Sequence, residues 1–536
     1  MAVVRKDSSK RSYLWVDPPP RLDPERLYAV DGVHPLLVQL LWERDVRTVE
    51  DVRTFLDPGS FELYSPWLMK GMSATVDRLL QARDGGEVVA IFGDYDADGV
   101  TSTALMVECL ASIGVKVIPY IPRRVEGYGL RSSALDRLHK EDGVTLVVAI
   151  DCGISASPEV DAAAELGVDV IIADHHHVPA VLPRAHAVIN PHQEGCDYPF
   201  KDLSAVGIAY KIALGLYERI GRDLSEVEQW LDLVAIGTVA DVVSLRGENR
   251  ALVARGLPRL NPAGRIGLNA LIQRASLSQG GVTARGIGYA IAPRLNAAGR
   301  LGDAKISLDL LLTTHPDVAR KLAEDLEQAN LLRQQLTSDA VELARLEIAR
   351  REQRDGRLPK VLLIASTEFT SGLVGLVAGR LVEDYGRPAL VAEIKDGMVR
   401  GSARSIVGFH LANALDECRT RLVRGGGHAL AAGFTIKIED WPDFQTEFEN
   451  IGARDLTDDH LEPRLMISAL LHPRKLPPNI LDLLASLEPC GQDNRRPLFR
   501  SNGLRVVERR VVGKNESRHL KLKLADGATF WNAIGF

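Results

Sequence analysis

Several features common in other chains are scarce here. The 536 residues hold only five cysteines, Cys109, Cys152, Cys196, Cys418 and Cys490, and no two form a CxxC pair. Thiols spread this widely exclude a zinc-finger spacing and a disulfide framework, and they suit a reducing cytoplasm. No apolar run approaches the roughly 18 residues that a membrane span requires, so no membrane partner is expected. The opening stretch, MAVVRKDSSKRSYLWVDPPP, lacks the apolar core of a secretory signal. Net positive charge is missing too. The formal charge of −6 excludes a uniformly basic nucleic-acid binder, though not a local patch. What remains, 46% hydrophobic and 25% charged residues, is the make-up of a globular protein, and the length points to three or four domains.

Chemistry is concentrated in Ile91 to Thr103, IFGDYDADGVTST. An apolar run ends in three alternating carboxylates, Asp94, Asp96 and Asp98, followed by a glycine and a helix-like apolar pattern. This reads as a buried strand presenting acids at the mouth of an open α/β sheet, where such sheets bind ligands. Three carboxylates this close repel one another, and a divalent cation with a preference for oxygen ligands, such as magnesium or manganese, relieves that. The competing reading is an acidic surface loop whose carboxylates merely favour a helix N-terminus.

From about residue 70 to 215, apolar β-type runs alternate with helical segments. The strands are expected at Val88–Phe92, Val115–Tyr120, Leu146–Ile150, Val168–Ala173 and Ala187–Ile189. Alternation of this kind implies βαβ units and a parallel sheet covered on both faces. Two further strands run straight into unusual residues, Asp151-Cys152-Gly153 and Asp174-His175-His176-His177. In a parallel sheet all three ends open onto one crevice, which independent surface loops have no reason to do.

Later segments are less decisive alone. Trp230–Val239 is apolar and ends in Ala240-Asp241, where the acid suits a helix cap as well as a ligand. Arg294 and Arg300 flank Asn-Ala-Ala-Gly, which reads as a turn, and they suit either bidentate phosphate contact or structural bonding to loop carbonyls. A helix start at Thr314-His315-Pro316-Asp317, with Thr as a capping candidate, opens a stretch free of Pro and Gly as far as about Arg354. Such a helix could span roughly 55–60 Å and join two domains. Beyond it, Gly401-Ser402-Ala403-Arg404-Ser405 gathers hydroxyls and a guanidinium, and the loop Gly425-Gly426-Gly427-His428 offers backbone N–H groups and an imidazole to phosphate oxygens. From about 460 short β-type runs suggest a small basic β-barrel. Between Arg495 and Lys523 ten Lys and Arg face two acids, Glu508 and Glu516, a net of +8. That is either a polyanion footprint or a solvated strand face.

Taken together, the sequence resembles the DHH phosphoesterases, and within them the bacterial single-strand-specific exonucleases. The matching motifs run in order: FGDYDADGVTSTAL (92–105), EGYGL (126–130), AIDCGI (149–154), ADHHH (173–177), LVAIGTVADVVSL (233–245), RLNAAGRL (294–301), GSARS (401–405) and GGGHALAAGF (425–434). The resemblance implies two Mn2+ or Mg2+ ions per active site. Asp96, Asp98, Asp151 (bridging), His175 and Asp241 would be the ligands, His176 would face the scissile phosphate, and Asp94 and Asp174 would support their neighbours. Ser402, Arg404, Gly426, Gly427 and His428, with Arg294 and Arg300 and one of Arg123 or Arg124, would meet the strand. Two positions depart from the family: Phe92 stands where His is frequent, and Phe369-Thr370 where Trp-His is frequent. The first removes a ligand and implies weaker hold on one metal. The terminal barrel is also expected to be shortened.

The organisation so implied is an N-terminal extension (1–68), a parallel-sheet α/β DHH catalytic domain (69–313), a linker helix (314–356), a second α/β, DHH-associated domain (357–456) and an oligonucleotide-binding-like barrel (457–536). The implied activity is 5′→3′ exonuclease action on single-stranded DNA, releasing 5′-mononucleotides in recombination and repair. A cytoplasmic monomer working with a single-strand-binding protein and a helicase is expected. The alternatives are a phosphodiesterase for short oligonucleotides or cyclic dinucleotides, and an inactive replication scaffold. The filled carboxylate positions oppose the scaffold, and the long helix and basic C-terminal segment oppose the small-substrate enzyme.

Overall fold

The computed structural model describes residues 13–18, 32–127, 129–261, 264–278, 280–513 and 519–535. The polar N-terminal tail, Pro19 and Pro20 of the proline turn, Tyr128 of EGYGL, and Lys514, Glu516 and Arg518 of the basic segment lie outside the described residues. Contacts divide the chain into two units. The larger comprises residues 63–243 and 252–463; the smaller joins Leu14–Glu62, Ser244–Ala251 and Arg464–Phe536.

In the larger unit the first sheet has five strands, all parallel, in the order Lys116–Tyr120, Val88–Gly93, Val144–Ile150, Asp169–Ala173, Ala187–Ile189. Strand order reverses between Val88–Gly93 and Val144–Ile150, and such a reversal opens a crevice at the carboxyl ends of the strands. These strands read as continuous apolar runs because helices cover both faces. Val89, Ala90, Ile91, Val147, Val148, Ile171 and Ile172 are all buried, each large aliphatic contributing about 1.5–3 kcal/mol. Helix Ala97–Ser112 starts directly from the first strand, and helices Ala205–Arg219 and Leu231–Ala240 pack against it.

The long helix runs Pro316–Asp355, 40 residues, about 60 Å of rise. Its N-cap is His315 rather than Thr314, and Gly356 ends it in the left-handed conformation (φ 68°). Ala319, Ala323 and Leu326 are buried along its first half. Its second half enters another core, where Val341, Ala344 and Ile348 join Leu362, Ile364 and Val377. The sheet there is mixed, ordered Leu422–Gly427, Ala431–Lys437, Met398–Arg404, Ala389–Lys395, Leu362–Ser366.

In the smaller unit the N-terminal segment is no free extension. Leu14–Val16 pairs in parallel with Arg464–Met466, and Leu37, Leu40, Leu41, Val52 and Phe55 share a core with Leu487. Pairing partners roughly 450 residues apart leave no local pattern, so this association was invisible in the sequence. The anticipated barrel strands appear among the described residues as an antiparallel sheet, Arg505–Val512, His519–Asp526 and Thr529–Gly535, and a short parallel pair, Ala469–Leu470 with Phe499–Arg500. All five cysteines are free, and among the described residues no helix is long and apolar enough to cross a membrane.

Candidate metal centre

The three acids of the opening stretch are placed by backbone hydrogen bonds into different roles. Asp96 caps helix Ala97–Ser112, its Oδ1 accepting from Asp98 N (3.0 Å) and Gly99 N (3.1 Å). Asp98 points the other way and is 1% exposed. Its oxygens accept from Ala205 N (2.8 Å) and Val206 N (3.0 Å), the first turn of a second helix, where exposed N–H groups and the helix dipole favour an anion. Asp94 is 4% exposed and its Oδ1 has no hydrogen-bond partner among the described residues.

The other strand ends close around them. Asp151 leaves Val144–Ile150 in a left-handed conformation (φ 62°), a sparsely populated one for a residue other than glycine and a recurrent feature of functional sites. His175 Nε2 lies 3.2 Å from Asp151 Oδ1, 3.6 Å from Asp241 Oδ2 and 4.0 Å from Asp98 Oδ2. Asp241 is the C-cap of helix Leu231–Ala240, and the strained Val242 (φ 61°) follows it. Ligand-capable atoms gather within 4.8 Å of one another in three overlapping groups: Asp98, His175 and Asp241; Asp94, Asp96 and Asp151; and Asp151, His175 and His176. The structure thus brings together all five expected ligands and adds Asp94 and His176, and Asp151 belongs to two of the three groups.

The charges are out of balance. Burial and then Asp96 push the Asp98 carboxyl up to about 7. Burial and then Asp98 push Asp241 up to about 9. Asp94 and Asp151 rise well above the usual carboxylate range, again by burial and then neighbouring carboxylates. Burial lowers His175 to about 4, which keeps its imidazole neutral, the form that binds metal. Buried atoms without a hydrogen bond among the described residues point the same way, namely Asp94 Oδ1 and His175 Nε2. An oxygen-rich donor set with one neutral imidazole fits manganese or magnesium.

His176 behaves oppositely to its neighbour. Burial lowers it, but its Nδ1 bonds Asp174 Oδ1 at 2.7 Å and that partner raises it to about 9. Asp174 also accepts from Ile154 N and His176 N at 3.0 Å each, and burial, which would raise its carboxyl, is outweighed by His176. Asp174 therefore orients and charges His176.

Glycine and asparagine explain the rest of the geometry. A Cβ on Gly237 would come within 2.4 Å of Thr101 Oγ1 and 2.7 Å of Asp98 Oδ1. The segment Asn296-Ala297-Ala298-Gly299 is not a turn but part of helix Ala292–Leu301. Its glycine is required by close approach, a Cβ there meeting Tyr95 O at 2.4 Å. Asn296 Oδ1 accepts from Ala97 N at 2.7 Å and fixes the acidic loop. Asn296 carries no signal of this role in the sequence beyond its place in RLNAAGRL (294–301).

The expected phosphate contacts sort unequally. Arg124 stacks over Tyr95 (4.3 Å to the ring centroid) and donates to Gly299 O at 3.1 Å, while Arg123 is exposed and lies 3.4 Å from Asp303. Arg294 is held by Glu327 on the long helix and by Ala290 O, a structural pairing. Arg300 donates to Gly372 O at 3.3 Å. Ser402 and Arg404 lie within strand Met398–Arg404 rather than after it. The triple glycine is likewise the end of strand Leu422–Gly427, not a loop, because Gly426 and Gly427 pair with Gly433 and Ala432. His428 follows at the hairpin tip, its ring 6.5 Å from that of His177, so the second domain reaches the metal-site loop. Phe92 is fully buried against Tyr120, and Phe369 is buried in the second core.

Family models match in the same order: the DHH family N-terminal domain over residues 88–238, the DHHA1 domain over 359–452 and the RecJ OB domain over 467–536. The single-stranded-DNA-specific exonuclease RecJ of Escherichia coli is 34% identical, covering 94% of this chain and 89% of that protein. This chain belongs to the RecJ family. The Bacillus subtilis RecJ is 37% identical over 94% of this chain, which spans 63% of that longer relative. The crystal structure of Thermus thermophilus RecJ in complex with Mn2+ superimposes with a TM-score of 0.81 at 31% identity, covering 95% of this chain and 72% of that one. The Mg2+ complex of the same protein gives 0.74 at 30% identity, covering 95% and 70%.

Proposed function

We propose that this chain is a metal-dependent 5′→3′ exonuclease specific for single-stranded DNA, releasing 5′-mononucleotides during recombination and repair. The observation that carries the reading is the convergence of Asp94, Asp98 and Asp151, all buried, with the half-buried Asp96, His175 and Asp241 at the strand-order reversal, a donor set suited to cations. Relatives named single-stranded-DNA-specific exonuclease RecJ, and RecJ structures in complex with Mn2+ and Mg2+, support the nuclease, substrate and metal parts of it.

Asp98, His175 and Asp241 would hold one ion and Asp94, Asp96 and Asp151 the other, with Asp151 and His175 at their junction. When bound, the pair supplies Lewis-acid polarisation of the phosphate and a water of lowered pKa. The protein's own groups do the rest. Asp174 accepts the Nδ1 proton of His176 and so orients the ring, whose Nε2–H would donate to a non-bridging phosphate oxygen or to the departing 3′ oxygen. Arg124, Ser402, Arg404 and His428 hold the strand's phosphates. Free thiols throughout suit a cytoplasmic setting. We expect a monomer that takes strands opened by a helicase and coated by single-strand-binding protein.

Digestion of 5′-labelled and 3′-labelled single strands with and without Mn2+ tests the reading. Labelled mononucleotide should appear at once from the 5′ label, and a shrinking ladder from the 3′ label. Cleavage confined to dinucleotides or cyclic dinucleotides, with a 40-mer left intact, would overturn it.

A further inference from the structure

The long helix Pro316–Asp355 carries, mid-length, polar groups that a connector does not need. Asn330 is 1% exposed and its amide nitrogen has no hydrogen-bond partner among the described residues. Arg333, about one turn on, donates through Nη2 to Asn330 Oδ1 at 2.9 Å, while its own buried Nε–H has no acceptor among the described residues. Arg333 lines a cavity of about 610 Å³ between this helix and helix Val374–Tyr385, and Arg404 lines the same cavity from its strand. The two acids of the lining are engaged, Glu342 by Arg345 and Glu383 by Arg380. Thr337 and Ser338 add hydroxyls.

The opposite wall is kept bare. A Cβ on Gly375 would come within 3.2 Å of Arg404 Nη2 and 3.5 Å of Ser402 Oγ, whereas one on Gly379 would meet nothing within 4 Å. Cations crowd the neighbourhood: Arg300 is lowered to about 10 by burial and then by Arg124, Arg333 and Arg404, against the opposing pull of Asp96. Half-buried guanidiniums beside hydroxyls and glycines, with the nearby carboxylates already taken, match the planar, multi-acceptor geometry of phosphate.

We propose that Arg333, with Arg404, holds a phosphate group of the substrate strand in this cavity, so that the long helix is part of the nucleic-acid site. The inference rests on the single-strand reading above. The phosphate has two possible sources on the strand, its 5′-terminal monoester or an internal diester.

The test is strand affinity in the full chain, on an Asp151→Ala background with Mn2+ present to prevent turnover. Arg333→Gln and Gly379→Leu, which removes no charge but fills the cavity, are compared on 5′-phosphoryl and 5′-hydroxyl 20-mers. Both variants should weaken binding by about tenfold. For Arg333→Gln the slope of log affinity against log salt should fall by about 0.7, one single-strand phosphate contact. Arg333→Lys should recover part of the loss. A loss confined to the 5′-phosphoryl strand assigns the terminal monoester, and an equal loss on both assigns a diester. Binding within about twofold of the parent on both strands overturns the inference, as does an Arg333→Gln loss with an unchanged salt slope and no loss in Gly379→Leu. The reading beneath it is judged separately, by whether the chain with Asp151 intact degrades single strands at all.

Discussion

Two charged regions of this molecule obey different rules. At the mouth of the parallel sheet, Asp94, Asp98 and Asp151 are buried, and burial, followed by neighbouring carboxylates with Asp96 foremost, pushes their carboxyls upward. On strand Arg505–Val512, the arginines Arg505, Arg509 and Arg510 stand in solvent on a sheet whose apolar residues, Val506, Val507 and Val511, are themselves exposed. Water screens the second set, where Arg510 pairs with Glu508 at 3.1 Å on the exposed strand. Burial withholds that screening from the first set and ties its members to one another. Mutations should therefore be coupled and large at the sheet mouth, small and additive on the strand.

The largest effect should come from Asp151→Ala. It removes the carboxylate common to two ligand groups, and nuclease activity should fall by at least about 10³-fold while strand binding survives. Because the residue is also a source of repulsion, the metal-free variant should melt at a higher temperature than the metal-free parent. Full activity would sink the ligand assignment, and an unchanged melting point in EDTA would sink the repulsion argument.

Gly237→Ala should rank second. The new methyl meets Thr101 Oγ1 and Asp98 Oδ1, with no room in a buried helix contact. Overpacking of this kind costs about 1–3 kcal/mol, and displacing Asp98 should weaken metal binding as well. Calorimetry together with a Mn2+ titration of activity checks both. A stable variant with parental metal dependence would show that Asp98 is not held by this contact.

Asp174→Asn separates the two histidines. His176 carries its proton below its pKa, so the protonated fraction is lost as pH rises through about 9. Without the carboxylate that raises it, the value falls toward or below about 6.5, and the alkaline limb of the rate profile should move to lower pH. An unmoved limb would remove His176 from proton donation.

How much of this could be read from residues alone follows from the same contrast. Buried parallel strands are nearly all aliphatic, so the runs ending at Asp94, Asp151 and Asp174 were legible, and their convergence followed from parallel order. Asp241 was ambiguous, because an acid after an apolar helix looks the same whether it caps or ligates. Asn296 to Gly299 read as a turn because glycine usually signals backbone freedom, whereas here it signals contact with Tyr95. Gly425 to Gly427 misled for the same reason, and the glycines lie in a strand. Arg333 resembled any solvated helix arginine, since what distinguishes it is a cavity formed by a helix some 40 residues on. The pairing of Leu14–Val16 with Arg464–Met466 depends wholly on tertiary contact.

The smallest effect, on the exposed strand, is the sharpest check on the contrast. Arg509 is exposed and faces Leu522 in the register of the antiparallel sheet. Replacing it with Ala removes no buried contact, so stability should stay within about 0.5 kcal/mol. If Arg509 meets the strand it does so through phosphate, so the loss should be only a few-fold and independent of base sequence, with the salt slope reduced by about 0.7. Arg509→Ala combined with Arg505→Ala should give the sum of the two losses, because exposed charges screened by water do not couple strongly. Affinity measured at several salt concentrations for the single and double variants decides this. A double loss much larger than the sum would mean that these arginines, like the aspartates, share one desolvated ligand, and the distinction between the two regions would fail.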